Sequence, residues 1–379
     1  MTSSGTERDE LRQVVRQLLD DRSTEADVRR VMASESGVDH ELWSTMAREI
    51  GLQGLGLPER YGGADAGWAE LAVVFEELGR VTACVPYLGT VGLAVPALLA
   101  AGDDEASARW LPGIAAGSVI ATVAALGRRR ASADDIPVRA RQMGERWHLD
   151  GLERWVLDAP VADVVLVPAQ TDGGLAMFAV ERADLRVESV RTSDQTRRFG
   201  HVTLDKSRAT VVGGVGDGLR LVAAARSAAA LALGWEQAGG ATATLDMAVD
   251  YAKVRHQFGR PIGSFQAVKH LCADMLVAVE SARAAAWGQL RSVEDDADDL
   301  PLVAALARVV CSERYQWCAT TNVQVHGGIG FTWEHPAHLH VKRSRGSAVL
   351  LGTPLDNREL LADLVPALTS LPPSSKGTP

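Results

Sequence analysis

Residues 251–270 read YAKVRHQFGRPIGSFQAVKH: the close of one helical stretch, a Gly-Pro turn and the opening of another. Before them Leu245, Ala248, Val249 and Ala252 recur at helical spacing, and after them Leu271, Met275, Val279, Ala282 and Ala286 do the same. The spacing predicts a turn between two long helices of a C-terminal helical unit over 216–365. Within it, Arg255 offers a fixed cation whose two-pronged fork suits pyrophosphate, and Phe258 offers a flat face for a heterocycle. On this chemistry alone a plain interhelix turn and a cofactor site are both open.

Upstream, the pattern changes character. Residues 117–215 break into short β-rich runs such as VADVVLVPA, LAMFAV and HVTLD, separated by Asp-, Gly- and Arg-rich turns, which reads as an antiparallel barrel or sandwich. Residues 1–116 are helical in pattern, with amphipathic stretches such as WAELAVVFEELGR between Gly/Pro punctuation. The tail LPPSSKGTP, within 366–379, has the small, polar composition of a disordered segment. An α+β chain is expected, with α, β and α units in that order.

Composition narrows the function without choosing one. The 379 residues are 46% hydrophobic and 23% charged, as in a soluble globular protein. A formal charge of −9 gives no basic excess for nucleic acid. Cys84, Cys272, Cys311 and Cys318 never form CxxC, which suits reduced, buried thiols. No apolar run reaches the ~20 residues needed to span a bilayer, and MTSSGTERDELRQ has no apolar signal core, so a cytoplasmic location is expected.

Three further features invite a functional reading. His335, His338 and His340, beside Glu334 and with His326 nearby, offer metal-ligand chemistry for a hydrolase. HExxH is absent and Pro336 interrupts the stretch, so solvated or hydrogen-bonded histidines are the competing reading, and no metal is expected. GGVGDG at 213–218 lacks the GxGxxG and GK[ST] patterns of phosphate loops and reads as a joining turn. QVHGGIGF at 324–331 places three glycines where backbone can approach a neighbour closely, with Gln324 able to donate and accept.

Together, RHQFGRPIGSFQ and QVHGGIGF resemble the paired signature of the acyl-CoA dehydrogenase family. LPERYGGADAG, FEELGRV and ARWLPGIAAGS are similar to that family's N-terminal helical domain, so the resemblance runs along nearly the whole chain. It implies an N-terminal helical domain, a middle β domain and a C-terminal four-helix bundle. It also implies FAD held between the β domain and the C-terminal helices and completed by a neighbouring subunit, an acyl-CoA substrate, and an electron-transfer flavoprotein or equivalent acceptor. In the family a carboxylate removes the α-proton of the thioester while the β-hydrogen leaves as hydride to the flavin. Carried across residue by residue, Arg255, Phe258, Gln266, Gln324, Gly327 and Gly328 match the positions that reach a partner's FAD.

The own-chain half departs from the family. Where a TE…GSD segment is expected the chain reads TVAALGRRRASADD, and in GLERWVLDAP Trp155 fits but Leu157 replaces a Thr or Ser. The usual Glu lies 27 residues after the Gln of the glycine motif and just before Gly-Thr; counting from Gln324 gives Leu351, then Gly352 and Thr353. The alternative position, 26 residues before Arg255, is Ala229, with Gly239 where the family has a helix-packing glycine. The nearest acids are Glu236 and Asp356. Two expectations follow from the resemblance: a non-catalytic subunit that completes the FAD site of a homologous catalytic chain in a heterodimer or α2β2 tetramer, or a self-sufficient dehydrogenase, possible as a homotetramer, with a displaced carboxylate. Actinobacterial members acting on steroid side-chain thioesters resemble the first; fatty acyl and steroid substrates are both open.

Overall fold

The computed structural model describes residues 5–124, 135–144, 146–288, 290–295 and 297–365. Its N-terminal part comprises α1 (Gly5–Arg22), α2 (Glu25–Ala33), α3 (His40–Thr45), α4 (Trp68–Arg80), α5 (Val95–Ala101) and α6 (Asp104–Ala115). The acidic pair at the centre of WAELAVVFEELGR decides how α1 lies on α4. Glu77 is buried and accepts from Arg12 at 3.0 Å, Arg16 at 2.8 Å and Arg80 at 3.0 Å. One desolvated carboxylate thus ties three guanidiniums from two helices, which compensates its burial.

The β unit contains β1 (Ala121–Val123), β2 (Arg139–Met143), β3 (Arg146–Leu157), β4 (Val164–Thr171), β5 (Gly174–Glu181), β6 (Arg186–Val190) and β7 (Phe199–Val212). Strands β2, β3, β7, β5 and β4 close on themselves, because β4 pairs with both β2 and β5. The outcome is a barrel, antiparallel in most pairs; β1 with β4 and β2 with β4 are parallel. Alternation alone does not distinguish strand direction, so the two parallel pairs were invisible in the sequence. The first six residues of β4, VVLVPA, are buried, the pattern of a strand packed on both faces. Thr90 locks β1 to the N-terminal helices, its hydroxyl donating to Ala121 O at 2.9 Å and accepting from Ala121 N at 3.2 Å.

GGVGDG is the turn before α7 (Gly218–Val254), with Gly213 and Gly216 at positive φ. After α7 come the hairpin strands β8 (His256–Gln257) and β9 (Arg260–Pro261), then α8 (Gln266–Trp287), α9 (Leu290–Asp295), α10 (Leu300–His326), α11 (Ala337–Val349) and α12 (Pro354–Leu364). Helix α7 extends ~55 Å. Its Ala-rich sequence leaves residues from all its faces buried, so it forms the centre of a bundle with α8, α10 and α11. Close approach is set by glycine: a Cβ on Gly239 would lie 1.9 Å from Glu76 O, and one on Gly79 would lie 2.0 Å from Glu236 O. Helices α4 and α7 therefore cross backbone to backbone. Among the described residues, no helix is long and apolar enough to cross a membrane. The tail expected to be disordered lies outside the described residues.

Candidate functional site

The two signature motifs meet at one end of the bundle. Arg255 ends α7, its N–H donating to Tyr251 O at 2.9 Å, while Ile262 N donates to Arg255 O at 2.7 Å and closes the hairpin. At the hairpin tip Phe258 has φ +51° and is 90% exposed, an arrangement that hydrophobic burial does not explain. Helix α10 ends at Gly327 with φ +63°, and a Cβ on Gly327 or Gly328 would meet nothing within 4 Å. The Tyr251 and His326 rings stack at 4.2 Å, which holds the two helix ends side by side. Gln266 opens α8 and, like Arg255, Gln324, Gly327 and Gly328, is exposed. Stretch 251–270 carries Lys253, Arg255, Arg260 and Lys269 with no acid. An exposed guanidinium, an exposed aromatic face and open glycines suit a negatively charged heterocyclic cofactor approached from outside the chain, so FAD chemistry fits this end.

The two positions where the resemblance expects a base, Ala229 and Leu351, lie away from that end, near Arg226. Arg226, one helical turn from the buried Ala229, donates to Leu351 O at 3.2 Å. Both positions carry hydrocarbon side chains, and Leu351 is 4% exposed. Its φ is +65°, a left-handed conformation disfavoured for a branched side chain. Leu351 lines a cavity of about 250 Å³ with Arg226, Ser227, Asn357 and apolar residues of α7, α10 and α12.

The two nearby carboxylates are already committed. Asp356 caps α12: it accepts from Thr353 N at 2.9 Å and Thr353 Oγ1 at 2.8 Å, and its own N–H donates to Thr353 Oγ1 at 3.2 Å. Glu236 is buried between Arg197, which donates to it, and Arg343, whose Nε lies 3.1 Å away. Arg343 also faces Asp194 at 3.8 Å and donates to Thr196 Oγ1 at 2.9 Å and Ala83 O at 3.2 Å. Burial lowers the Arg197 pKa, with Arg343 adding to the shift; Glu236 and Asp194 outweigh burial at Arg343 and raise its pKa. By geometry Glu236 is the shared ion-pair partner of both arginines.

This ion cluster lines the space beside the Trp155 strand. Trp155 is 51% exposed at a bulge in β3, with φ +59° and its N–H donating to His201 Nδ1 at 3.3 Å. Leu157 is buried and lines a cavity of about 20 Å³ with Asp158, Arg197, Glu236 and Arg343. That volume accommodates a water or two and no larger group. Asp158, buried at φ +56°, has its pKa pushed up to about 7 by desolvation, against the opposing pull of Arg197 and Arg343. A Leu side chain where a hydroxyl is expected, beside a space filled by ion pairs, does not fit the own-chain half of an FAD pocket. The other expected departure, TVAALGRRRASADD, lies largely outside the described residues.

The histidines that offered the metal-hydrolase alternative face separate partners. His340 is buried with its Nδ1 2.9 Å from Tyr315 OH, His338 lies against Trp333 at 4.5 Å, and His335 lies against His326 at 4.2 Å. Desolvation lowers the pKa of His338 and of His340 to about 4. Among the described residues no group of three or more His, Cys, Asp or Glu side chains is placed to hold a metal. His338 and His340, on α11, and His335, just before it, each face a different neighbour.

Several groups escaped sequence reasoning. Arg308, Arg197, Arg343 and Asp158 look like ordinary charged positions on helices and turns, and only their burial marks them. The clearest conformational signal is backbone: of seven described non-glycine residues with positive φ, four are Trp155, Asp158, Phe258 and Leu351. Three of these, Trp155, Phe258 and Leu351, are positions singled out in the sequence.

Comparison with known proteins agrees with this architecture. The family model described as acyl-CoA dehydrogenase, N-terminal domain, matches residues 5–118, and that described as acyl-CoA dehydrogenase, C-terminal domain, matches residues 216–363. The chain is 36% identical over 359 residues to acyl-CoA dehydrogenase IpdE2 of Mycobacterium tuberculosis, covering 94% of this chain and 96% of that protein. Among solved structures, a Tcur3481-Tcur3483 steroid ACAD variant is 32% identical with a TM-score of 0.85, covering 97% of this chain and 99% of that one. The ChsE4-ChsE5 complex from Mycobacterium tuberculosis contains a chain 30% identical with a TM-score of 0.85, covering 98% and 99% respectively.

Proposed function

The chain belongs to the acyl-CoA dehydrogenase family, and on that premise we propose that it is the non-catalytic subunit of a heteromeric enzyme that dehydrogenates an acyl-CoA thioester. The observation that carries this reading is the loss of any available carboxylate at the base positions: Ala229 and Leu351 are hydrocarbon, and Glu236 and Asp356 are tied up as a counterion and a helix cap. The separation along α7 supports it. At about 1.5 Å per residue, Arg255 stands ~39 Å from Ala229, so the two regions of one chain serve different sites.

In the proposed assembly Arg255 supplies charge and hydrogen bonds, Phe258 a flat contact, and Gln324, Gly327 and Gly328 polar and backbone contacts to a FAD held mainly by the homologous catalytic subunit. FAD held there would supply hydride-accepting chemistry, with an electron-transfer flavoprotein or equivalent as the electron acceptor. The relatives named as a steroid ACAD and as the ChsE4-ChsE5 complex support a steroid-derived thioester and a heteromeric assembly, for which the family resemblance suggests a heterotetramer.

The test is to express the chain alone and with a homologous partner, then to measure flavin per subunit and acyl-CoA dehydrogenation. The pair should hold flavin and turn over, while the chain alone does neither. Arg255→Ala should reduce the flavin content of the complex with little change in this chain's melting temperature. Stoichiometric FAD and turnover by the chain alone would overturn the proposal in favour of a displaced base.

A further inference from the structure

The turn carrying residue 351 is built by a residue that sequence reading did not single out. Arg308 on α10 is completely buried, and no ion pair to it is among those described. Its Nη2 reaches Ser347 O at 2.9 Å, Ala348 O at 3.2 Å, Leu350 O at 2.9 Å and Gly352 O at 3.4 Å. Its Nη1 donates to Gln237 Oε1 at 3.0 Å and Ser312 Oγ at 2.8 Å. These carbonyls close the C-terminus of α11, where the helix dipole concentrates negative charge, so the cation is balanced by oriented backbone. Burial lowers the Arg308 pKa to about 10, which leaves it charged at neutral pH. Arg226 takes the intervening carbonyl, Leu351 O, from the other side at 3.2 Å.

Two arginines thus hold the carbonyls of residues 347, 348, 350, 351 and 352. None of these bonds involves the side chain at 351. That side chain nevertheless sits in the left-handed conformation, and nothing about leucine favours φ +65° there.

We infer that Arg308 is the positioning residue of this turn: it holds residue 351 left-handed and facing the cavity beside Arg226 whatever side chain is present, so the turn is a preformed seat that will accept a carboxylate. The inference rests on the reading of 351 as the vacated base position, but its content is structural and is tested in the isolated chain without flavin. Position 351 has lost its acid while its support is intact. The cavity of about 250 Å³ has room for the longer polar side chain, and Arg226, which already faces Asp356, provides a neighbouring positive charge.

The experiment compares Leu351→Glu alone, with Arg226→Gln, and with Arg308→Met or Arg308→Lys, following the added carboxyl by carbon NMR across a pH titration. Leu351→Glu should fold with a cooperative melt. Its carboxyl should titrate outside the range of the exposed glutamates, and Arg226→Gln should raise its pKa. Loss of Arg308 should return it to the ordinary exposed range, with Arg308→Lys intermediate. If Arg308→Met does not fold, amide exchange at 350–353 in Arg308→Lys decides, and at least a tenfold acceleration is expected. A Leu351→Glu chain that fails to fold, a carboxyl that titrates as an exposed one with Arg308 present, or a titration or exchange rate indifferent to Arg308 would each overturn the inference. Failure of the subunit proposal, by contrast, would appear as flavin binding and turnover by the unaltered chain.

Discussion

Glu236→Gln separates a structural counterion from a displaced catalytic base. Glutamine keeps the shape of the side chain and removes its charge, leaving Arg197 and Arg343 buried around a neutral amide. The remaining acids compensate poorly: Asp194 lies 3.8 Å from Arg343, and Asp158 is half protonated at about pH 7. Removing one partner from a buried ion pair costs ~3–5 kcal/mol. Against a total stability of ~5–15 kcal/mol, that is about a fifth or more of the whole. Urea denaturation at pH 7, followed by far-ultraviolet circular dichroism, should show a clear fall in midpoint. Replacing the cluster together, with Arg197→Met, Glu236→Leu and Arg343→Met, should recover part of the loss, because the arginines are no longer buried without their counterion while Asp194 and Asp158 then lose theirs. The reasoning is refuted if Glu236→Gln stays within ~0.5 kcal/mol of the parent, the range of an ordinary surface change. If that variant also abolished turnover by the chain alone, Glu236 would be the base.

Three other expectations test separate parts of the structure. Asp158 has a folded pKa raised from 3.8 to about 7, so its protonated form favours the fold; stability relative to Asp158→Asn should fall as pH rises from 4 to 7 and level off above, and parallel pH curves would contradict this. Leu351→Gly and Leu351→Ala should both destabilise by loss of buried hydrocarbon, but the glycine variant should be the more stable by ~1 kcal/mol because φ +65° suits it, and thermal melts giving the reverse order would remove the strain argument. Gly239→Ala places a Cβ 1.9 Å from Glu76 O and should destabilise by at least ~1–3 kcal/mol as α4 and α7 are forced apart; an unchanged melting temperature would show that the crossing is looser than it appears from the backbone.

The expected α, β, α order was legible because it rests on periodicity, which is local. The hydrocarbon residues Ala229 and Leu351, where the family resemblance expects a carboxylate, were legible for a related reason: the spacing from Gln324 to Leu351-Gly352-Thr353 is counted along the chain without coordinates. The fate of the neighbouring acids was not legible. Glu236 and Asp356 were equivalent candidates by proximity, yet one is paired with Arg197, 39 residues away, and the other caps its own helix. Which neighbours His335, His338 and His340 face was likewise not legible, since His340 bonds Tyr315, His338 lies against Trp333 and His335 against His326.

The sequence by itself therefore determined the order of structural units, the signature residues and the absence of a carboxylate where the family's spacing places one. Tertiary structure decided which charges are neutralised, where β strands run parallel, and that Arg308 supports the turn at 351. The physical reason is that periodicity and spacing are properties of one segment, whereas the free energy of a buried charge depends on partners that only folding brings within hydrogen-bond reach.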